Sequence, residues 1–396
     1  MKIKEMKEIK DFIYFDNAAT TKVSASVLES MLPYLGQIYF NPSSIYSASK
    51  QAKDAIEKAR SQVATAIGAE SDEVYFTSCA TESNNWAFTI SQQRGKLPSQ
   101  PAHFITTQIE HPAVLNAAKQ KEKDGSQVTY LGVDEEGRVS PDDLKKNIRE
   151  DTTLVSIMYA NNETGVIQPI DELANICNEK GVLFHTDAVQ AAGTLPIDVK
   201  RQNIGMLSLS GHKFHAPKGV GVLYIKKGIP VNNFLFGGGQ ERGKRGGTEN
   251  VANIVAIGQA IEKAMECMEA KNAHIKKLRK LLFDHVMQIP KVKFNGSKDH
   301  NLPNIMNFSF EGIEGEGILL HLSMQGICCS SGSACTSGSL DPSHVLIAMG
   351  LDHALAQGSL RISLSKYNTE QEITRFLEVL KPTIEKLRAM SPIWQS

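Results

Sequence analysis

Between residues 50 and 225, short runs of four to six mostly apolar residues alternate with stretches in which apolar residues recur every three or four positions. The short runs predict strands over 73–77, 103–106, 128–131, 154–158, 182–185, 206–209 and 220–225. The longer stretches predict helices over 49–67, 112–122 and 170–180; in the last, Ile170, Leu173, Ile176 and Cys177 share a face. Strands and helices in this alternation predict an α/β domain with a mostly parallel seven-stranded sheet covered by helices.

The Gly-rich run 237–247 ends that pattern. A charged amphipathic stretch over 251–285 then predicts one long helix bridging two lobes. Strands over 305–310 and 360–364, with helices over 315–324 and 369–390, predict a smaller α+β domain. The expected division is an N-terminal segment over 1–25 packing with the small domain, a large domain over 26–262 and a small one over 263–396. A chain of 396 residues has room for two cores.

Composition narrows the function. Apolar residues make up 41% and charged residues 22%, ordinary for a folded soluble chain, and no internal repeat is visible. The 43 basic residues balance 43 acidic ones, so no net field draws in nucleic acid or an anionic membrane, and a small-molecule substrate is expected. No apolar run is long enough to span a bilayer, and the charged start over 1–10 lacks the apolar core of a secretory signal; a cytoplasmic protein is expected. Six irregularly spaced cysteines do not make a disulfide framework, which predicts reduced thiols.

Candidate chemistry gathers after the predicted strands. Lys213, in Ser-Gly-His-Lys213, leaves a buried strand among small residues. A partly desolvated amine there can lose its proton and form the Schiff base by which pyridoxal phosphate (PLP) is held, or it can simply pair with a carboxylate. Asp187 ends the preceding strand, on the sheet edge where ligands bind. It suits the pyridine nitrogen of PLP, with a helix N-cap as the plain alternative. Thr77-Ser-Cys-Ala-Thr-Glu-Ser-Asn84 joins a strand to a helix, as a phosphate site does, or as a capping box does. His111 follows another strand and suits a ring-stacking or proton-shuttling imidazole, or a structural one. Cys335 lies in Ser331-Gly-Ser-Ala-Cys-Thr-Ser-Gly338, a run without apolar bulk that predicts a mobile loop carrying an exposed thiol. A linker with an incidental cysteine is the alternative, and the spacing of Cys328 and Cys329 supports no metal site. Arg361 opens a strand and can clamp a carboxylate or form a surface ion pair.

Taken with Tyr14-Phe-Asp-Asn-Ala-Ala-Thr-Thr21, Asn41-Pro-Ser-Ser44, Glu110-His-Pro-Ala-Val114, Asn161-Asn-Glu-Thr-Gly165 and Arg245-Gly-Gly-Thr248, these segments run in order along the chain. Together they resemble the NifS/IscS-type cysteine desulfurases, class-V members of PLP-dependent transferase fold type I, the aspartate-aminotransferase-like fold. The resemblance implies that the enzyme converts L-cysteine to L-alanine and passes the sulfur to Cys335 as a persulfide, for iron–sulfur cluster or other sulfur-compound assembly. It implies PLP on Lys213, Asp187 at the ring nitrogen, His111 on the ring, and Asn162 and Gln190 near the ring hydroxyl and substrate. Ala80, Thr81, Ser210 and His212 look like phosphate ligands, joined by Thr248 from the other subunit of a homodimer. Arg361, Asn41 and Asn162 would meet the substrate, and an iron–sulfur scaffold or another sulfur acceptor would be the partner. Three positions depart from the pattern: Cys79 and Ala216 stand where the family usually has Gly, and Tyr46 where it usually has His. A lyase that releases sulfur or selenium without a persulfide is the rival activity. A non-catalytic assembly component is the rival class.

Overall fold

A computed structural model describes residues 12–92, 102–331, 341–392 and 394. The chain forms two compact units: one comprises residues 20–162 and 166–268, the other the described residues of 1–19, 163–165 and 269–396.

The larger unit is built on a seven-stranded sheet. In chain order the strands among the described residues are β1 (Ile13–Tyr14), β2 (Val74–Thr77), β3 (His103–Thr107), β4 (Gln127–Leu131), β5 (Thr152–Ser156), β6 (Leu183–Asp187), β7 (Met206–Ser210), β8 (Gly221–Ile225), β9 (Val292–Phe294), β10 (Ile305–Phe310), β11 (Ile327–Cys328) and β12 (Ser359–Ser363). The large sheet has the order β2-β8-β7-β6-β5-β3-β4. Strands β3 to β7 run parallel to one another, and β8 is antiparallel to both β7 and β2. Two reversals cancel, so β2 runs with the parallel set and its carboxyl end lies on the same edge as theirs.

Strand residues alternate between two cores. Phe104, Leu154, Leu183, Met206 and Leu223 belong to one apolar cluster. Their sequence neighbours Ile105, Val155, Phe184, Leu207 and Val222 belong to the other. Both faces are therefore buried, which explains near-continuous apolar runs rather than an apolar–polar alternation. Helix Ser49–Ile67 covers one face with Ala52, Ile56, Ala59, Val63 and Ile67, and Gly68 ends it in the left-handed conformation at φ 71°.

The seven expected strands are all present, with ends displaced by up to two residues. The expected single helix over 251–285 is instead two, Val251–Glu266 and Met268–Val286, separated at Cys267 with φ −102° and ψ 8°. Apolar periodicity continues across the break, so the pattern alone does not register it.

The smaller unit has a three-stranded antiparallel sheet ordered β12-β10-β9. Helices Gly315–Met324 and Glu370–Met390 accompany it, the second opened by a capping box between Thr369 and Glu372. Strand β1 pairs in parallel with β11, and the Phe15 ring meets Phe376 edge-on at 5.5 Å within its core.

Candidate active site

The carboxyl edge of the large sheet collects most of the expected site. Residues Ala80 and Thr81 follow β2, His111 follows β3, Asn162 follows β5, Asp187 and Gln190 end and follow β6, and Ser210 to Lys213 end and follow β7. Strands β6 and β7 are neighbours, with Asp187 in register with Ser208. Asp187 and the lysine turn thus leave adjacent strands, the arrangement that open parallel sheets use for ligands.

The turn after β2 enters helix Ala80–Gln92, whose first backbone N–H groups have no partner within the helix. The Thr77 and Ser83 hydroxyls bond at 2.8 Å, and Ser83 donates to the Val222 carbonyl at 3.0 Å, pinning the turn to β8. Gly221 makes the approach possible. A Cβ there would fall 2.6 Å from the Cys79 carbonyl carbon and 2.7 Å from Thr77 Oγ1. Ser78 does not cap the helix; its N–H and hydroxyl both donate to Glu82, at 2.8 and 2.5 Å.

Asp187 is buried and serves no helix. Its Oδ1 accepts from Val189 N–H at 3.1 Å and its Oδ2 from the Asn84 amide at 2.8 Å. Asn84 comes from the phosphate-type helix, so one element braces both ends of the site. Glu110, fully buried beneath this edge, accepts through Oε1 from Met158 N–H at 2.9 Å and from the Thr107 hydroxyl at 2.8 Å. Burial, with a smaller push from Asp187, raises its carboxyl to about 8.

His111 caps helix Pro112–Lys123: its Nδ1 accepts from Ala113 N–H at 3.1 Å. That bond assigns the proton of the neutral ring to Nε2. His212 Nδ1 meets Thr20 Oγ1 at 3.1 Å, and burial, then the charges of Lys213, Lys218 and His111, lower it to about 4. The ring is neutral at pH 7. The Thr21 N–H and hydroxyl both donate to the His212 carbonyl, at 2.9 and 2.8 Å, tying the lysine turn to the chain's early segment. Lys213 itself is half-buried.

These residues fit PLP. A helix N-terminus over a bare Gly221 suits the phosphate, a braced buried carboxylate suits the pyridinium, and a half-buried lysine at the neighbouring strand end suits the aldehyde.

The remaining expected residues do not follow strands of the large sheet's parallel set. Asn41 is exposed, its Oδ1 accepting from Ser43 N–H at 2.9 Å, and Thr248 is exposed after Gly247. Arg361, in the smaller unit, is buried and bonds Asp16 Oδ1 at 2.8 Å, so its ion pair is an interior one rather than a surface one. In the same unit the Ser343 hydroxyl donates to buried Glu163, whose carboxyl burial raises to about 7. Burial, then Asp16, pushes the thiols of Cys328 and Cys329 up, so both stay protonated and poorly nucleophilic near pH 7. Cys335 lies outside the described residues. Sequence reasoning missed the bracing roles of Asn84 and Asp16; each stands inside a quoted motif, but its partner is far away in the chain.

The sequence profile of the class-V aminotransferases matches residues 13–376. The chain belongs to this family. Within it, the chain is 52% identical over 386 residues to the cysteine desulfurase IscS of Clostridium botulinum, covering 97% of each chain. It is 51% identical to the IscS of Methanosarcina thermophila, over 96% of this chain and 94% of that one. Among solved structures, a NifS-like protein superimposes with a TM-score of 0.89 at 41% identity, over 95% of this chain and 100% of that chain. SspA in complex with cysteine superimposes with a TM-score of 0.79 at 38% identity, over 90% of this chain and 100% of that chain. The NifS/IscS branch and fold type I of the PLP enzymes are thereby established for this chain.

Proposed function

We propose that this PLP-dependent cysteine desulfurase moves the sulfur of L-cysteine onto Cys335 and leaves L-alanine. The observation that carries the reading is the convergence of Lys213, Asp187, His111 and the 78–81 turn on one sheet edge. Bound PLP supplies an electron sink that stabilises negative charge at the Cα of the amino acid.

In this reading Ala80, Thr81, Ser210 and His212 hold the cofactor phosphate, with Thr248 contributed by a second copy in a homodimer. Neutral His212 accepts or donates a hydrogen bond there without adding charge. Asp187, kept in place by Asn84 and Val189, would pair with the ring nitrogen. Asn162 and Gln190 stand near the ring hydroxyl. Arg361, oriented by Asp16, and Asn41 take the substrate carboxylate. Once released, the Lys213 amine removes the Cα proton as general base. The Cys335 thiolate then attacks the cysteine sulfur: the S–S bond forms, the Cβ–S bond breaks, and its electron pair goes to the carbon skeleton, which takes up a proton as alanine. His111, whose Nδ1 is held by Ala113 N–H, exchanges the thiol proton through Nε2 in this reading. The persulfide passes to a sulfur acceptor in the cytoplasm, such as an iron–sulfur scaffold.

The test is alanine and sulfide release from cysteine, with mass spectrometry of the Cys335 peptide for one added sulfur atom. If Cys335→Ser released sulfide at the parent rate, the persulfide step would be wrong.

A further inference from the structure

The helix that opens on the phosphate turn carries an acid in its first turn, Glu82, whose side chain is only 9% exposed. A carboxylate suits a helix N-terminus on its own. Beside a phosphate it becomes a second anion in one small site, which disfavours phosphate binding. The fold answers it with a cation. Arg245 Nε and Nη2 donate to Glu82 Oε1 and Oε2 at 2.8 and 3.1 Å, a bidentate fork in which Arg245 is 19% exposed.

Arg245 is held from behind. Leu235 and Arg245 form a parallel bridge, and Gly246 N–H donates to the Leu235 carbonyl at 2.9 Å. Gly246 and Gly237 approach so closely that a Cβ on Gly246 would lie 2.7 Å from the Gly237 Cα. Glu82 in turn takes both donors of Ser78, so Ser78 is spent on the acid and the phosphate is left to groups from Cys79 onward.

We propose that Arg245 is a charge-compensating positioning residue for PLP: by neutralising Glu82 it makes the 78–81 turn receptive to the cofactor phosphate. The proposal rests on the PLP reading of the site. A clamp with a purely structural role makes a different prediction. Loss of either partner of a clamp harms the turn equally, whereas charge compensation makes loss of the cation harmful and loss of the acid harmless.

The experiment titrates PLP into apoprotein of the full chain and follows the absorbance of the bound cofactor, with thermal melting of each apoprotein as a fold control. Parent protein that fails to bind PLP overturns the site assignment itself, separately from this proposal. Given parent binding, R245M is expected to weaken PLP by roughly 10- to 100-fold, since it leaves the Glu82 carboxylate without its counter-charge. E82Q, which keeps an acceptor for Ser78, is expected to bind as the parent does, and E82Q/R245M to recover most of the loss. Equal losses in the two single variants, or a double variant no better than R245M, overturn the proposal. Should R245M not fold, E82Q and the double variant still decide, because a structural clamp requires both to bind poorly.

Discussion

Lys213 leaves β7 through a single 3-10 turn, Gly211–Lys213, so its amine is delivered by a rigid element rather than a loose loop. Lys213→Ala is expected to abolish the borohydride-reducible link to PLP and to lower desulfurase activity by about three orders of magnitude or more. Retention of that link would remove the lysine from its role. Glu110 gives a pH test. Its carboxyl, raised by burial from 4.5 to about 8, binds its proton more tightly in the folded chain than in the unfolded one. Its contribution to stability is thus fully present below about pH 4.5 and is lost as pH rises through about 8. The hydrogen bonds from Thr107 and Met158 reach Oε1, and glutamine can reproduce them. Glu110→Gln is expected to flatten the fall of Tm between roughly pH 5 and pH 9, recovering on the order of 2–4 kcal/mol at the upper end. A parallel fall in both proteins would show that Glu110 does not set the slope. At this scale the sequence was readable where a residue ended a strand, as Asp187 does. It was silent where the partner lay far off, since nothing local to Asn84 announces a carboxylate 103 positions later.

Strand β8 shows what patterning at the element scale conveys and what it omits. Its apolar run was legible because both sheet faces are buried, but a continuous apolar run has no direction, so its antiparallel placement between β2 and β7 was not. That reversal matters to the site. It brings the first residue of β8, Gly221, against the turn that leaves β2. Gly221→Ala would set a Cβ 2.6 Å from a backbone carbon of Cys79, which only a backbone shift can relieve. The expected cost is roughly 1–3 kcal/mol of stability, with PLP held about tenfold more weakly. Denaturant unfolding and PLP titration measure the two effects. Parent-like values in both would mean that the turn is softer than its packing indicates. The helix break at Cys267 was illegible for a related reason: φ and ψ of one residue end a helix without changing the spacing of apolar positions around it.

For the molecule as a whole, ordered motifs spread over nearly the full chain identified the family, because each strand end contributes only one or two chemical groups and their sum is distinctive. The state of assembly is a separate question. Thr248 and Asn41 are exposed on the single chain, and so are large apolar side chains close to each in sequence: Tyr39 and Ile45 near Asn41, Leu235 and Phe236 before Thr248. Ile45 is fully exposed and Phe236 is 89% exposed, and burying each such side chain in an interface is worth ~1.5–3 kcal/mol. A homodimer that covers these segments would also deliver Thr248 to the phosphate of the second copy. The double substitution Ile45→Glu/Phe236→Glu is therefore expected to shift the particle from dimer to monomer in light scattering at micromolar concentration. In step with that shift, it should weaken PLP by about tenfold through loss of one hydrogen-bonding hydroxyl. Thr248→Ala alone should reproduce the weaker PLP without dissociating the dimer. A monomeric parent that retains PLP fully, or a monomeric double variant that does, would place both phosphate ligands and cofactor affinity within one chain.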